Sequence, residues 1–565
     1  MRKIFLFLLF PFQLIYTQIE HWEIVHPLKN ITTLSGNYAE IRRTHFHGGL
    51  DFRTGGVENK PIYAIDEGYL SHISISPRGY GKMAFISHPN GYTSLYAHLN
   101  GFTGKLDSIV EARQYEAQSF AIEISFQPNE YPVKKGELFA LSGNTGSSGG
   151  PHLHFEIRKT DDHTLINPMV LNRFFGVEDT RPPRILGVKI YGMNDNGVVN
   201  NAKERRFPIT TAGRNRTLQG GSDIKAWGEI GFSVRSQDYM TGTHFIHTPR
   251  IIRLYVDNNL ISEVDINNIK FSDSRASKSF IDYRQFKRTG EFFKKSFPDP
   301  NSPLTIFNPK YKGTFHITEE RPYLVRYEVF DDFGLQDVIS FTIQGRKMDI
   351  PQSRKNFVSY LSYKESHLFD QGDFLMFFPE NALYTDLELE YRKTASSDPK
   401  FYSYIHEIGN VDIPLHTSCD ITIKVDNDTE KDKSKYFIAK LNANNIITGS
   451  AGGVYVNGFM VGKTNAFERF AVAADNAKPI ITPVNTTELH RRPYLRFRIL
   501  DALSGISRYD GYINGEWVLF EYDAKSNTIT HRMKNRARQN KNHDFKLVVT
   551  DACGNSETFE RTIYW

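Results

Sequence analysis

Short runs in which apolar and polar residues alternate cover most of this chain, whereas long helical stripes are scarce. Between Ile62 and His98 the sequence reads IYAIDEGYLSHISIS and then KMAFISHPNGYTSLYAH. This period of two is typical of half-buried strands. The pair Asn90-Gly91 interrupts the second run and predicts a hairpin, because a tight primed turn needs positive φ at both central residues. His98 should therefore end the strand after the hairpin, and residues 40–175 are predicted to be all-β without a long helix.

The chain is expected to contain several domains, because 565 residues exceed what one hydrophobic core supports. Aromatic residues make up 13% of it, and this enrichment favours strands. The segment VEDTRPPRILGV, with two adjacent prolines and mixed charge, marks a boundary after the N-terminal domain. We predict a signal peptide at 1–18, an N-terminal β domain at 19–175, an immunoglobulin-like β module with insertions at 179–345, a β-rich domain at 346–474 and a second immunoglobulin-like module at 475–565.

The two immunoglobulin-like modules are predicted from a divergent internal repeat. Three segment pairs occur in the same order: DTRPPRI (179–185) with DNAKPII (475–481), DYMTG (238–242) with DALSG (501–505), and YEVFDDFG (327–334) with LVVTDACG (547–554). Short strands with turn signals at this spacing are typical of immunoglobulin-like sandwiches. Two related β modules are therefore expected, the first enlarged by insertions.

The first residues, MRKIFLFLLFPFQLIYTQ, combine two positive charges with a short apolar run, which is the layout of a secretory signal peptide. The run is too short for a spanning helix, and no later run approaches the roughly 20 apolar residues of a membrane span. The cleavage position is poorly marked. We therefore expect an exported protein, in the periplasm or the extracellular medium, with no transmembrane segment after cleavage.

Charge and cysteine content argue against two further kinds of function. The formal net charge is +5, and +3 without Arg2 and Lys3, which is too weak to indicate a nucleic-acid partner. The basic segment at 531–546 is expected to be a solvated loop before the last strand. Cys419 and Cys553 lie in different expected domains and lack metal-ligand spacing, so neither a disulfide nor a cysteine metal site is predicted.

The candidate chemistry lies in histidine motifs of the N-terminal domain. In SGNTGSSGGPHLHFEIR, His152 and His154 are two apart, so on a strand both would project from the same face. Upstream, His47 and Asp51 are separated by three residues, two of which are glycines that let the backbone fold tightly. With one histidine of the later pair, they would supply two imidazoles and a carboxylate, the three protein ligands of a catalytic zinc site. His98 adds a further imidazole.

In combination, these motifs resemble the lysostaphin-type, or LytM-like, zinc metallopeptidases, which cut peptide bonds in bacterial peptidoglycan. The shared elements are HGGLD, YAH, SGNTG and HLHFE, in the family's order and over roughly a quarter of the chain. The resemblance implies that the N-terminal domain is a compact antiparallel β metallopeptidase domain with an open groove. It also implies that His47, Asp51 and His154 bind Zn²⁺, and that His98 and His152 are the two remaining site histidines.

Elementary chemistry agrees with those roles. Zinc held by two neutral imidazoles and a carboxylate keeps positive charge, which lowers the pKa of its bound water towards ~7 and polarises a scissile carbonyl. One further imidazole can move the proton of the water to the leaving amine, and another can stabilise the oxyanion. The division of these roles between His98 and His152 stays open, with His152 expected beside the nucleophilic water. His45 matches no family ligand, and His72 and His88 are expected to be ordinary strand and turn residues.

The leading hypothesis is a secreted zinc endopeptidase that hydrolyses the peptide cross-links of peptidoglycan. Its partners would be the peptide stems and, through the C-terminal β modules, cell-envelope proteins. One alternative is a non-catalytic wall-binding or activator protein, because some family members have lost their ligands; here all five site residues are present. Another is a metalloprotease with a protein substrate. The segment at 100–132 is longer than a family turn needs and contains no motif residue, so we expect it to flank the groove.

Overall fold

The computed structural model describes residues 19–212, 215–351, 356–489, 491–533 and 540–565. The predicted signal peptide at 1–18 lies outside the described residues, as do residues 534–539 of the basic segment. Most of the regular structure consists of strands, which confirms the all-β prediction. Among the described residues, no helix has the length and apolar character needed to cross a bilayer.

The N-terminal domain is built from twelve short strands. They are β1 (Leu34–Gly36), β2 (Leu50–Arg53), β3 (Pro61–Tyr63), β4 (Gly68–Ile75), β5 (Lys82–Ser87), β6 (Tyr92–Leu99), β7 (Gly101–Phe102), β8 (Ile122–Ser125), β9 (Pro132–Val133), β10 (Leu138–Leu141), β11 (His152–Lys159) and β12 (Thr164–Ile166). The main sheet has the order β1-β2-β11-β6-β5-β4-β8, with β9 beside β4 and β12 beside β11. The strands β3, β10 and β7 form a second, three-stranded sheet. Every residue of β6 is buried, as are all but the last of β11, so both strands lie at the centre of the domain.

The predicted hairpin is present, but its turn differs from the expected primed type. The strands β5 and β6 pair antiparallel, and the Gly91 N–H donates to His88 O at 3.2 Å, so Pro89 and Asn90 are the central residues of the turn. Gly91 has φ of 82°, whereas Asn90 does not have positive φ. The reason is Pro89, whose fixed φ suits the first central position of an ordinary turn.

The prediction that residues 40–175 contain no long helix is wrong for the segment at 100–132. Between β7 and β8 it forms a helix, Lys105–Ala117. The buried side chains of this helix are Leu106, Val110 and Gln114, each four residues apart, while most of its other residues are exposed. One of these three buried residues is polar, so the helical periodicity of apolar residues is too weak for the sequence to predict the helix.

The region 179–345 contains eleven strands. They are β13 (Arg184–Val199), β14 (Glu204–Ala212), β15 (Asn215–Leu218), β16 (Lys225–Gln237), β17 (Ile251–Val256), β18 (Asn259–Asp265), β19 (Asn268–Lys270), β20 (Lys294–Lys295), β21 (Thr314–Ile317), β22 (Pro322–Phe330) and β23 (Gln336–Gly345). Hydrogen bonds join ten of them in the order β15-β14-β13-β16-β23-β22-β17-β18, with β20 and β21 beside β16. Short helices in these first two regions are Pro168–Leu171, Asn172–Phe175, Gly221–Asp223, Phe271–Ala276, Ser277–Phe280 and Tyr283–Thr289.

This second region is joined closely to the N-terminal domain. The strand β19 leaves its own sheet and pairs with β12, with Leu165 opposite Ile269. Asn37 Nδ2 donates to Thr248 O at 2.9 Å, and the Phe46 N–H donates to a carbonyl of the second region at the same distance. The buried apolar side chains of both regions form one continuous core. The wall behind the N-terminal site is therefore partly made by the second region.

The region 346–474 has a core of its own. Its strands are β24 (Ser359–Leu361), β25 (His367–Asp370), β26 (Phe374–Phe378), β27 (Leu387–Leu389), β28 (Tyr391–Thr394), β29 (Ile405–Ile408), β30 (Pro414–Lys424), β31 (Tyr436–Leu441), β32 (Ile447–Ser450), β33 (Val454–Val456), β34 (Phe459–Ala466) and β35 (Arg469–Ala474), with a helical turn at Lys433–Lys435. Two five-stranded sheets, β25-β26-β30-β34-β33 and β28-β29-β35-β31-β32, enclose this core, and β24 pairs with β27.

The region 475–565 forms two four-stranded sheets around a common core. Its strands are β36 (Ile480–Asn485), β37 (Tyr494–Leu500), β38 (Ile506–Ile513), β39 (Glu516–Val518), β40 (Glu521–Asp523), β41 (Thr528–Arg532), β42 (Asn542–Asp551) and β43 (Ser556–Tyr564). The sheet orders are β36-β37-β41-β40 and β39-β38-β42-β43. Cys419 and Cys553 are both buried and unpaired.

The last region folds back onto the N-terminal domain beside the unpredicted helix. The rings of Tyr115 and Trp517 meet edge to face, with centroids 5.4 Å apart. Lys82 Nζ lies 3.2 Å from Glu521 Oε1, and Lys525 Nζ donates to a backbone carbonyl of the SGNTG loop. The 100–132 segment thus contacts the C-terminal module as well as its own domain.

Candidate metal centre and catalytic site

Three neighbouring strands bring the candidate residues together. In the β2–β11 ladder Asp51 is opposite His154, and in the β11–β6 ladder His154 is opposite Ala97, the residue before His98. His47 lies on the turn that leads into β2. Because β11 is flanked by β2 and β6, motifs up to 107 residues apart meet at one point of the sheet.

His47, Asp51 and His154 are buried and converge closely. His47 Nε2 lies 2.9 Å from Asp51 Oδ1 and 2.8 Å from His154 Nδ1. His154 Nδ1 lies 2.8 Å from the same oxygen of Asp51. The structure therefore brings the three residues that the motifs predicted as metal ligands into one triangle of ligand atoms.

The outer nitrogen of each imidazole faces an acceptor. His47 Nδ1 lies 2.7 Å from the Asn37 carbonyl oxygen, and His154 Nε2 lies 2.8 Å from Glu156 Oε1. Because these oxygens can only accept, the hydrogen-bond network assigns the ring protons to His47 Nδ1 and His154 Nε2. The facing nitrogens, His47 Nε2 and His154 Nδ1, then present lone pairs to each other and to Asp51.

This arrangement fits a metal ion held by His47, Asp51 and His154. Three lone-pair acceptors within 2.9 Å of one another repel unless a positive charge lies among them. Burial lowers the pKa of His154, but its hydrogen bonds to Asp51 and Glu156 outweigh burial and raise the pKa to about 9. Without a metal, His154 therefore binds a second proton, which supplies the positive charge. A bound metal ion would take the place of that proton. Two imidazoles and one carboxylate, with acceptors behind the imidazoles, are the donors of a catalytic zinc site that keeps one position for water.

Glu156 is a positioning residue that the sequence motifs did not single out. It is fully buried, and beside His154 its carboxylate accepts from Tyr80 Oη and Arg158 Nε, both at 2.6 Å. Burial raises the pKa of Glu156, but the charge of Arg158 and the hydrogen bond from His154 together outweigh burial and lower the pKa well below its usual value. The available signal was the alternation of HLHFE, which puts His152, His154 and Glu156 on one side of β11.

The second carboxylate oxygen of Asp51 is held separately. Asp51 Oδ2 accepts from Arg42 Nη2 at 2.7 Å, and Arg42 Nε lies 3.3 Å from Glu40 Oε1. Burial raises the pKa of Asp51, but the charge of His47 and the histidine hydrogen bonds outweigh burial and keep the pKa well below its usual value. Arg42 thereby leaves Asp51 Oδ1 facing the imidazoles.

The two glycines of HGGLD are required by close backbone approach. A Cβ on Gly49 would lie 2.0 Å from the Phe155 carbonyl oxygen, and one on Gly48 would lie 2.4 Å from Glu156 Oε1. Any larger residue would push the turn away from β11. The motif therefore needs glycine because the turn packs directly on the strand that carries His154.

His98 and His152 lie beside the triangle, with ring centroids 4.8 Å apart. His98 Nδ1 faces the Thr145 carbonyl oxygen at 2.8 Å, and His152 Nδ1 faces that of Gly150 at 2.7 Å. These contacts leave both Nε2 atoms unprotonated in the neutral rings. His152 Nε2 is buried without a hydrogen-bond partner and lies 3.4 Å from Asp51 Oδ1, so it faces the candidate metal position.

His98 is held in an uncommon conformation. Its φ is 59°, in the left-handed region that non-glycine residues seldom adopt, and such strain is typical of functional positions. Burial, together with the charges of His152 and His154, lowers the pKa of His98 to about 3. His98 is therefore a neutral imidazole near pH 7.

The other histidines of the domain lie apart from the triangle. His45 is exposed and pairs with Thr44, as expected for a residue outside the ligand set. His72 contacts Glu123 on the outer face of β4, with Nε2 2.6 Å from Oε2. His88 is buried beside the hairpin turn, where it contacts Ser94 Oγ. The structure thus separates the five predicted site residues from their neighbours.

Comparison with known proteins identifies two parts of the chain. Residues 45–128 match the model of Peptidase family M23, and residues 358–475 match the model of a Zu5-like domain. The first match includes His47, Asp51 and His98 and ends before the pair at 152 and 154. The second falls on the β-rich region that resembled neither copy of the internal repeat.

The chain is similar to several curated proteins over about a fifth of its length. It is 34% identical over 125 residues to an uncharacterized metalloprotease of Haemophilus influenzae, covering 22% of this chain and 21% of that protein. It is 31% identical over 112 residues to the DD-carboxypeptidase/endopeptidase Mpg of Neisseria meningitidis, covering 20% of each. It is 31% identical over 110 residues to the murein hydrolase activator NlpD of Escherichia coli, covering 20% of this chain and 22% of that protein.

Among solved structures, the catalytic domain of lysostaphin from Staphylococcus simulans is 22% identical. That alignment covers 24% of this chain and 89% of the other, with a TM-score of 0.19. The chain spans about a fifth of the length of the curated relatives it matches. The similarity to these proteins therefore covers only a part of this chain.

Proposed function

The N-terminal part of this chain carries a Peptidase family M23 domain, and from that premise we propose that the protein is an exported zinc-dependent metalloendopeptidase that hydrolyses peptide cross-links of peptidoglycan. The observation that carries the proposal is the convergence of two imidazoles and one carboxylate within 2.9 Å of one another. A similar protein is named as an endopeptidase, which supports this substrate class.

In this proposal His47 Nε2, Asp51 and His154 Nδ1 hold the zinc. When bound, the ion supplies Lewis acidity towards a water molecule and the scissile carbonyl. Glu156 and the Asn37 carbonyl keep the two imidazoles in the ligating tautomer and orientation.

His152 is proposed to accept the proton of the nucleophilic water. Its Nε2 is unprotonated, buried and free of other partners, and its Nδ1–H is held by the Gly150 carbonyl. A base oriented in this way needs no rearrangement before it takes a proton. The proton that His152 accepts is proposed to pass from His152 to the leaving amine. His98, whose ring neighbours that of His152, is proposed to stabilise the oxyanion in the tautomer that carries the ring proton on Nε2.

Export, zinc as the metal and peptidoglycan as the substrate are parts of one proposal. Export rests on the signal-peptide pattern at 1–18. The C-terminal β modules are proposed to contact the cell wall or cell-envelope proteins. A protein substrate is the alternative for the same site. The segment at 100–132 contacts the last module, and none of the motifs shared with the family lies in this segment.

The test is digestion of purified cross-linked muropeptides by the zinc-loaded protein, followed by mass spectrometry. We expect dimers to be converted to monomers, a chelator to block the reaction, and His47→Ala to abolish it. His45→Ala is the matched control, because it removes a nearby exposed imidazole and should leave the activity unchanged. Intact dimers with zinc bound would refute the peptidoglycan substrate, and a panel of denatured proteins would then test the alternative.

A non-catalytic activator is the second candidate, since one similar protein is named as a murein hydrolase activator. The presence of all five site residues argues against it. The two candidates differ in one measurement: an activator increases digestion only when a second hydrolase is added, and the His47→Ala variant would retain that effect.

A further inference from the structure

The internal repeat brings together two clusters of three aspartates, one in each repeated module, and in each cluster two aspartates are buried and one is half-buried. In each cluster, three carboxylates contribute oxygens that all lie within 4.8 Å of one another. The first cluster is Asp179, Asp238 and Asp331, and the second is Asp475, Asp501 and Asp551. The three members occupy matching positions of the three segment pairs, so each aspartate of one copy has its counterpart in the other.

The cluster of the last module is satisfied by hydrogen bonds. All three carboxylates accept from backbone N–H groups of the adjoining turns. Asn555 Nδ2 also donates to Asp551 Oδ2 at 2.7 Å. Within the described part of the chain, no oxygen of this cluster is buried without a partner.

The cluster of the first module is not satisfied. Asp179 Oδ2, Asp238 Oδ1 and Asp331 Oδ2 are buried and have no hydrogen-bond partner. Asp238 and Asp331 are only 2% and 5% exposed. Leu335 stands at the position of Asn555, and a hydrocarbon side chain cannot donate. The first copy therefore leaves one acceptor oxygen of each aspartate unpaired where the second copy provides donors.

Among the described residues, no side chain donates a hydrogen bond to these three oxygens. The buried ammonium of Lys294 interacts electrostatically with Asp238 but does not hydrogen-bond to it. It donates to Ser236 O at 2.6 Å and to Ser236 Oγ at 3.1 Å. Burial, followed by the charge of Asp331, raises the pKa of Asp238 to about 7, and burial raises that of Asp331 to about 6. Buried carboxylates are costly unless they are paired or bind a metal.

We propose that the first module binds one calcium ion through Asp179, Asp238 and Asp331. The donors are all carboxylate oxygens without nitrogen or sulfur, which selects a hard cation. Calcium takes six to eight oxygen ligands in adaptable geometry, so backbone carbonyls and water can complete the three carboxylates. The site is separate from the zinc triangle, and it does not depend on the proposed peptidase activity.

The position of the ion would connect three turns of the second region with the N-terminal domain. Asp238 and His247 exchange two backbone hydrogen bonds, of 3.0 and 2.9 Å. The next residue, Thr248, bonds to the side chain of Asn37, whose carbonyl holds His47. Calcium would thus stiffen the support behind one zinc ligand as well as the module itself.

The experiment is calorimetric titration of calcium into the purified protein that has been freed of metals and loaded with one equivalent of zinc. We expect one calcium ion per chain and a rise of at least about 2 °C in the melting temperature. Asp238→Asn should abolish this binding. At pH 8 without calcium, Asp238→Asn should also melt at a higher temperature than the wild type, because it removes an uncompensated buried charge. Asp501→Asn in the satisfied cluster is the matched control and should retain calcium binding.

Asp331→Asn provides a second test, because its amide oxygen can still accept the backbone N–H groups of residues 333 and 335. Absence of calcium uptake by the wild type at millimolar concentration would overturn the proposal. It would indicate that protons neutralise the aspartates of this cluster. Calcium uptake that survives both Asp238→Asn and Asp331→Asn, or that Asp501→Asn abolishes, would also overturn it. Loss of calcium binding with retained zinc would support it.

Discussion

Replacing Glu156 by Gln tests whether this buried carboxylate positions a metal ligand. The amide keeps the shape of the side chain but loses the negative charge that accepts from His154 Nε2–H, Arg158 and Tyr80. Loss of such a partner behind a ligating histidine typically costs 10–100-fold in metal affinity, which is about 1.4–2.8 kcal/mol. We expect the upper part of this range, because Glu156 is fully buried and water cannot replace it.

The assay is zinc competition with a chromophoric chelator, together with turnover at saturating zinc. Glu123→Gln is the matched control, because Glu123 also pairs with a histidine, His72, but is 63% exposed and lies away from the triangle. It should leave zinc affinity unchanged. The Arg158 guanidinium would be left without its partner in Glu156→Gln, so the thermal stability of the variant must be measured alongside.

A zinc affinity within twofold of the wild type for folded Glu156→Gln would refute the positioning role. If that variant unfolds, Tyr80→Phe removes one hydrogen bond to the same carboxylate without unpairing the arginine. It should weaken zinc binding less than Glu156→Gln does, in the same direction.

Three further predictions concern single histidines. His154→Ala should abolish stoichiometric zinc binding and activity together, and zinc retained at one equivalent by elemental analysis would contradict the ligand assignment. His98→Ala should keep its zinc but lose ~10²–10⁴-fold in turnover, and near-normal turnover would return His98 to a packing role. His406 in the third region is buried, and burial lowers its pKa to about 4. Below pH 6.5 the unfolded chain therefore binds more protons at this residue than the folded chain does. The free energy of unfolding should fall by about 2 kcal/mol between pH 6.5 and pH 5. His406→Phe should remove this part of the acid sensitivity in urea unfolding, and equal losses in both proteins would contradict it.

The five candidate residues could be named from the sequence because their motifs have local spacing and, in combination, resemble those of a known family. A separation of two on a strand places His152 and His154 on one side, and the glycines of HGGLD allow His47 and Asp51 to turn towards a common point. Strand periodicity also predicted the hairpin and the all-β class. These features depend on neighbours within a few residues, so the sequence carries them directly.

Other features depend on contacts between distant segments. The helix Lys105–Ala117 buries only three side chains, and it contacts its own domain and, through Tyr115, the C-terminal module. The weak apolar pattern of the helix does not predict it unless those contact surfaces are known. The same holds for Arg42 and Asn37, ordinary residues in the sequence whose roles follow from their distances to Asp51 and His47.

The aspartate clusters show the division most clearly. The repeat was recognised by Asp at three matching positions, so the sequence by itself determined that both modules carry these residues. Only the tertiary structure decided that the three carboxylates meet, and that one cluster is satisfied by Asn555 while the other, with Leu335, is not. The physical reason is that hydrogen bonds and charge repulsion act over a few ångströms in space, whereas the chain specifies only order along the backbone until folding brings its turns together.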